Sequence, residues 1–157
     1  MTNKTYLLKY AIEYLSKFSS SKKNLDRILK SKIQRLIKDK KERYHLYKEL
    51  NYVYEQLEKN NFLSDENYSF NKINILAKQG KSINYIKKYL YSKGIENKTI
   101  INQLVNYENQ NPEWEIKSAR IFAQKRKLIS SNENYEKKLA KMARAGFSYE
   151  LCKEILN

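Results

Sequence analysis

The chain has 157 residues, with 32 Lys and Arg against 17 Asp and Glu and a net charge of +15. One Pro and three Gly are too few for a turn-rich β protein, and one Cys beside one His leaves neither an internal disulfide framework nor a zinc site. There is no run of about 18 apolar residues to make a transmembrane helix, and the start Met1-Thr2-Asn3-Lys4-Thr5-Tyr6-Leu7-Leu8-Lys9 lacks the apolar core of a signal peptide, so a metal-free cytoplasmic protein is expected.

Apolar residues recur at helical spacing almost throughout. Tyr6, Leu7, Tyr10, Ala11, Tyr14, Leu15 and Phe18 form a first stripe, and Ser19-Ser20-Ser21 interrupts it and offers an N-cap. Leu25, Ile28, Leu29, Ile33, Leu36 and Ile37 mark one side of a second helix, and Asp39-Lys40-Lys41 is a polar break. A third helix over about 42–60 turns Leu46, Leu50, Val53, Tyr54 and Leu57 inward, and Asn60-Asn61 ends it. Ser64-Asp65 starts a fourth helix over roughly 65–79, with Tyr68, Ile73, Leu76 and Ala77. Gly80 then fits the left-handed C-terminal position, where a Cβ would clash. Ser82 caps a fifth helix carrying Ile83, Ile86, Tyr89 and Leu90, which ends at Gly94; a sixth covers about 97–109. Pro112 is expected in the first turn of the seventh, where it has no N–H to lose. That helix carries Trp114, Ala119, Phe122 and Ala123 up to Lys125-Arg126-Lys127. The last two cover about 132–145 and 149–157, with Gly146 and Ser148 between them.

These helices align internally. With Ser21, Ser82 and Ser148 set as equivalent, the positions four and eight residues on are Leu25, Ile86 and Cys152, then Leu29, Leu90 and Leu156. Six and nine residues before them stand Leu15, Leu76 and Met142, then Ile12, Ile73 and Leu139. Every position is apolar in all three copies, and the i, i+4, i+8 spacing keeps one face of the second helix buried. The repeating unit is two helices docked across a Ser-capped turn and closed by a third. The fold class is all-α: tandem three-helix repeats in an elongated, curved array. The expected repeats are 1–61 (with a basic extension at about 34–48), 62–110 and 111–157. The serine alignment instead makes the last two helices the opening pair of a unit, so the grouping of the nine helices stays open.

The alignment reads Cys152 as a small core residue, because a buried free Cys behaves as a hydrophobe. His45 has no carboxylate or Ser arrangement to serve. Of the 14 Tyr, about two thirds are expected in the core. No Gly-rich phosphate loop, Walker motif or Ser/His/Asp set is present, and Asp65-Glu66 at a helix start is explained by the helix dipole. The expectation is a protein that is not an enzyme, with no catalytic residue, cofactor or metal.

The charge is uneven. Residues 22–48 hold 11 Lys/Arg against 3 Asp/Glu, residues 117–144 hold 9 against 2, and residues 49–116 hold 8 against 9. A Lys-, Asn-, Ile- and Tyr-rich composition also follows from AT-rich codons, but bias alone would load the middle equally. Two basic blocks flanking a neutral one point to an extended anionic partner, with nucleic acid the obvious candidate.

The chain resembles the RecX family. Ala11-Ile12-Glu13-Tyr14-Leu15-Ser16 and Ser21 through Leu29 look like that family's opening Ala-x-x-Tyr-Leu-Ser and Ser-x-x-x-Leu-x-x-x-Leu helices. Phe62-Leu63-Ser64-Asp65-Glu66-Asn67-Tyr68-Ser69 is similar to its Leu-Leu-Asp-Asp-x-x-Phe/Tyr-Ala turn, with Ser64 and Ser69 as departures. Gly80 through Ile86, Lys93-Gly94-Ile95 and Arg144-Ala145-Gly146-Phe147-Ser148-Tyr149 match its later signatures. The stretched, basic segment at about 34–48 is a further departure.

The resemblance implies a monomeric cytoplasmic regulator that binds the RecA recombinase and its filament on single-stranded DNA and mostly inhibits ATPase and strand-exchange activity. Candidate filament- or nucleic-acid-binding residues are Lys22, Lys23, Arg27, Lys30, Arg35 and Arg43 in the first block. In the second they are Arg120, Lys125, Arg126, Lys127, Lys137, Lys141 and Arg144. Arg ranks above Lys because a planar guanidinium binds carboxylate or phosphate bidentately. The alternatives are a sequence-nonspecific nucleic-acid-binding helical protein acting without RecA, and a helical adaptor with no nucleic-acid role.

Overall fold

The computed structural model describes residues 2–157, and among them the regular structure is entirely helical. In chain order the helices are α1 (Asn3–Lys17), α2 (Lys22–Leu36), α3 (Lys40–Lys59), α4 (Asp65–Lys78), α5 (Ile83–Ser92), α6 (Asn97–Gln110), α7 (Trp114–Lys125), α8 (Tyr135–Arg144) and α9 (Tyr149–Leu156). The sequence placed each of them, with three local differences. Lys40 and Lys41 belong to α3, with Asp39 at the N-cap position, rather than to a break. Pro112 stands ahead of the left-handed N-cap Glu113 and outside the first turn of α7. The start of α8 waits until Tyr135, because Asn134 supplies the cap by accepting from Glu136 N–H at 2.8 Å.

The described residues form two compact units. The first runs to Tyr68 and takes in Lys93–Ile95. Its core joins Leu7 and Ala11 of α1, Leu25, Leu29 and Ile33 of α2, and Leu46, Leu50, Val53, Tyr54 and Leu57 of α3. The Tyr54 hydroxyl donates to Asp26, tying α3 to α2, and burial pushes that phenol's pKa well up. The stripes of the first two helices end sooner than expected: Phe18, just after α1, is 56% exposed, and Leu36 at the end of α2 is 54% exposed.

The second unit comprises Ser69–Ser92 and Glu96–Asn157. Ala119, Ala123, Leu128, Met142, Phe147, Leu151 and Cys152 form one of its clusters, with Cys152 buried as the alignment required. Tyr107 organises another part: its ring meets Phe70 and Trp114 edge-on at 5.6 Å each, and its hydroxyl donates to Asn74 Oδ1 at 2.8 Å.

The aligned serines do the same work. Ser21, Ser82 and Ser148 each accept the N–H three residues on, from Asn24, Tyr85 and Leu151, at 3.1–3.2 Å. The twelve apolar positions aligned around them are all buried or half-buried. Two of the serines also close a joint. Within the first unit, Ser21 Oγ donates to the Lys93 carbonyl at 2.7 Å, and Lys22 N–H donates to Asp65 Oδ1 at 2.9 Å. Within the second, Ser82 Oγ donates to the Ala145 carbonyl at 2.7 Å, and Ile83 N–H donates to Glu115 Oε2 at 2.7 Å. Each accepting carbonyl precedes a glycine of positive φ, Gly94 or Gly146. A helix start is thereby satisfied by a serine and a carboxylate from elsewhere in its unit. Burial raises the pKa of both Asp65 and Glu115, while the bonds from Lys22 and Ile83 oppose the rise. Asp65 therefore serves the start of α2, and Ser64 caps α4 by accepting from Asn67 N–H at 3.2 Å.

Candidate anion-binding cleft

The candidate residues of the first block lie on α2, apart from Arg43 on α3, and most have work inside the unit. Lys22 pairs with Glu58 at 2.7 Å and Lys30 with Asp26 at 2.9 Å. Arg27 donates to Asn24 Oδ1 at 3.0 Å. The stem of Lys23 lies over Gly94, within 2.3 Å of where a Cβ would be. Arg43 is half-buried: its Nε donates to the Ile37 carbonyl at 2.5 Å and Nη2 to the Gln34 carbonyl at 3.3 Å, which ties down the end of α2. Arg35 is exposed.

The second block is gathered differently. Arg126, after the end of α7, meets Lys141 and Arg144 from the last turn of α8 around a polar cleft of about 460 Å³, lined also by Phe122 and Ala145. The contact of Phe122 with Phe147 at 5.6 Å fixes the ring, and the Arg126 guanidinium stands 5.5 Å from its centre. Ala145 is the residue whose carbonyl takes the Ser82 hydroxyl, so the joint anchors the wall beside Arg144. One carboxylate shares the neighbourhood: Glu133 pairs with Lys141 at 2.9 Å, and that hydrogen bond lowers its pKa. Lys125 donates to the Gln79 carbonyl at 3.1 Å, whereas Arg120, Lys127 and Lys137 are exposed outside the cleft lining.

Three of the thirteen candidates thus converge. Their convergence was not legible in the sequence, because it depends on the ends of α7 and α8 coming together. Phe122 was read only as a core residue. Its spacing from Arg126, one helical turn, was the available signal. The tyrosines also depart from expectation: only Tyr54, Tyr68 and Tyr107 are buried, and half of the fourteen are exposed. Lysines over their rings account for part of this, as with Lys4 over Tyr52 at 4.2 Å and Lys48 over Tyr44 at 4.4 Å. No group of acidic, His and Cys side chains suited to a metal ion occurs among the described residues, and no described helix is long and apolar enough to cross a membrane.

These features define a class: an all-helical scaffold of capped helix pairs that offers a cationic cleft. The comparisons narrow the class to a family resemblance. The chain is 29% identical over 161 residues to the regulatory protein RecX of Myxococcus xanthus, across 98% of this chain and 85% of that protein. Its fold matches the crystal structure of RecX from Lactobacillus salivarius with a TM-score of 0.68, at 20% identity, over 98% of this chain and 94% of that one. A second crystal structure of regulatory protein RecX matches with a TM-score of 0.69 at 16% identity, over 97% and 70% of the two chains. No family model matches. The chain is RecX-like in sequence and in fold, as its motifs implied.

Proposed function

We propose that this chain is a regulator of the RecX type, which binds the RecA recombinase and its filament on single-stranded DNA. It restrains ATP hydrolysis and strand exchange, works as a monomer in the cytoplasm, and is not itself an enzyme. The resemblance along the whole chain supports the partner. The observation that carries the mode of binding is the convergence of Arg126, Lys141 and Arg144 on one cleft. Two guanidiniums and an ammonium beside an aromatic ring suit a phosphodiester or a carboxylate cluster, both of which a nucleoprotein filament presents. The three-repeat division at 1–61, 62–110 and 111–157 remains part of this reading, resting on the helical periodicity of the sequence.

The Phe122 ring in the cleft lining favours one second reading, a nonspecific nucleic-acid binder that needs no recombinase. A pull-down on assembled RecA filaments beside naked single strands, across a salt series, separates the two. The regulator retains on filaments at salt concentrations that strip it from bare DNA, and it slows RecA ATP hydrolysis at equimolar amounts or below. Equal retention on both, with a steep loss in salt, points to the nucleic-acid binder. No slowing at low salt with the cognate recombinase refutes the regulatory reading.

A further inference from the structure

A second cleft, of about 350 Å³, opens in the first unit among α1, α2 and α3. Leu7, Ile33 and Leu46 form its buried floor, and Tyr6, Leu36 and Ile37 stand around them. Leu36, like Phe18, is a residue that the helical spacing assigned to the core and the structure leaves exposed, and it lines this cleft. The Arg43 bonds to the Ile37 and Gln34 carbonyls hold this edge in place before anything binds.

The chain around the cleft is strongly basic. Arg35 precedes Leu36, Lys38 follows Ile37, and Lys40 and Lys41 open α3. All four are exposed, and none joins an ion pair among the described residues. Asp39 and Glu42 are the acidic groups in this stretch. An apolar cleft whose lining residues Leu36 and Ile37 are flanked in the chain by unpaired cations suits a ligand with an apolar anchor and negative charge beside it. The walls are mainly aliphatic, which suits a side chain better than the flat face of a base.

We propose that this cleft docks an acidic peptide segment of a partner protein. One large apolar side chain of that segment seats against Leu36 and Tyr6, and its carboxylates face Arg35, Lys38, Lys40 and Lys41. This site is separate from the Arg126 cleft and does not depend on the recombinase reading.

The test is fluorescence anisotropy of the full chain with a short labelled peptide of aspartates and glutamates around one phenylalanine. A second peptide has alanine in place of the phenylalanine. The phenylalanine peptide binds about tenfold or more tightly than the alanine peptide, a difference of about 1.4 kcal/mol. Leu36→Glu, at an exposed position, and the triple Lys38→Glu, Lys40→Glu, Lys41→Glu each weaken it by about tenfold or more while circular dichroism stays that of the wild type. Lys87→Glu with Lys88→Glu, a charge change elsewhere, leaves binding within about twofold. Any one of three results overturns the proposal: no binding of either peptide, equal binding of the two, or an unchanged affinity in Leu36→Glu. Oligothymidylate binding that is lost in the lysine triple but kept in Leu36→Glu also overturns it and makes the stretch a nucleic-acid surface.

Discussion

Gly146→Ala tests whether the serine joint is a stabilising feature of the second unit. Gly146 has φ +100°, and an added Cβ would lie 2.4 Å from Ser82 Oγ. That oxygen cannot retreat freely, because it donates to the Ala145 carbonyl and accepts from Tyr85 N–H. The backbone conformation alone costs an L-residue about 1–3 kcal/mol. Displacing the buried hydroxyl loses its bonds and strands their partners, adding about 1–3 kcal/mol. The expected total is about 2–6 kcal/mol, read as a shift of the urea midpoint followed by circular dichroism. Gly94→Ala is a companion case. It has φ +77°, and its Cβ would lie 2.3 Å from Lys23 Cδ and 2.7 Å from Lys23 Cβ, which moves only with α2, so it should cost more than the backbone contribution of about 1–3 kcal/mol. Ser82→Ala supplies the second arm of a cycle. With the oxygen gone, the nearest atoms to the new Cβ are Asn84 Cβ at 3.3 Å and Ser82 Cβ at 3.5 Å. The double variant should therefore be less destabilised than the sum of the singles by about 1–2 kcal/mol. Strict additivity refutes the reasoning.

Four further outcomes are expected. Burial raises the Glu115 pKa, so the folded chain keeps that proton while the unfolded chain has released it. This contribution favours folding below the unfolded carboxylate value of about 4.3 and is lost as pH rises through the folded value. The stability of Glu115→Gln relative to wild type should therefore increase from acid to neutral pH, and a constant or falling difference in urea titrations would sink the assignment. Ser69 Oγ is buried without a hydrogen-bond partner among the described residues; Ser69→Ala should raise stability by about 1 kcal/mol, and a thermal shift downward would contradict this. Leu25→Asp places a carboxylate in the core of the first unit and should cost roughly 3–5 kcal/mol, so an unchanged melting temperature would show the helix phase to be wrong. Arg126→Glu with Lys127→Glu should weaken retention on recombinase filaments more than Lys87→Glu with Lys88→Glu, and equal loss in the pull-down would remove the special role of the second basic block.

The helices were legible in the sequence because each rests on local physics. Apolar residues recur with the helical period, and a serine caps the amide three residues on whatever surrounds it. Cys152 could be placed in the core by register alone, from its equivalence to Leu25 and Ile86. The joints were not legible, because the acceptors for Ser21 and Ser82 are main-chain carbonyls, which carry no residue code. Leu36 misled because periodicity tells which face a residue is on and not whether anything covers that face. The basic residues misled in both directions. Arg43 and Lys125 hold main-chain carbonyls, while Arg126, Lys141 and Arg144 gain their common setting from two helix ends distant in sequence. The near-neutral middle gave no hint of the roles of Asp65 and Glu115, since carboxylates on a helix's first turn look alike whether they serve their own helix or another.

The joints also bear on how the protein is made. The carbonyl that takes the Ser21 hydroxyl lies 72 residues downstream, and the one that takes the Ser82 hydroxyl lies 63 residues downstream. A nascent chain emerging from the ribosome can wind α1, α2 and α3 long before Lys93 is available. The first unit then waits, its opening helices formed and one junction unlatched, until most of the second unit's early helices have been synthesised. Contacts of such long sequence separation close late and set the pace of folding. Truncation shortly before residue 93 would leave a fragment that is helical yet permanently missing its final fastening.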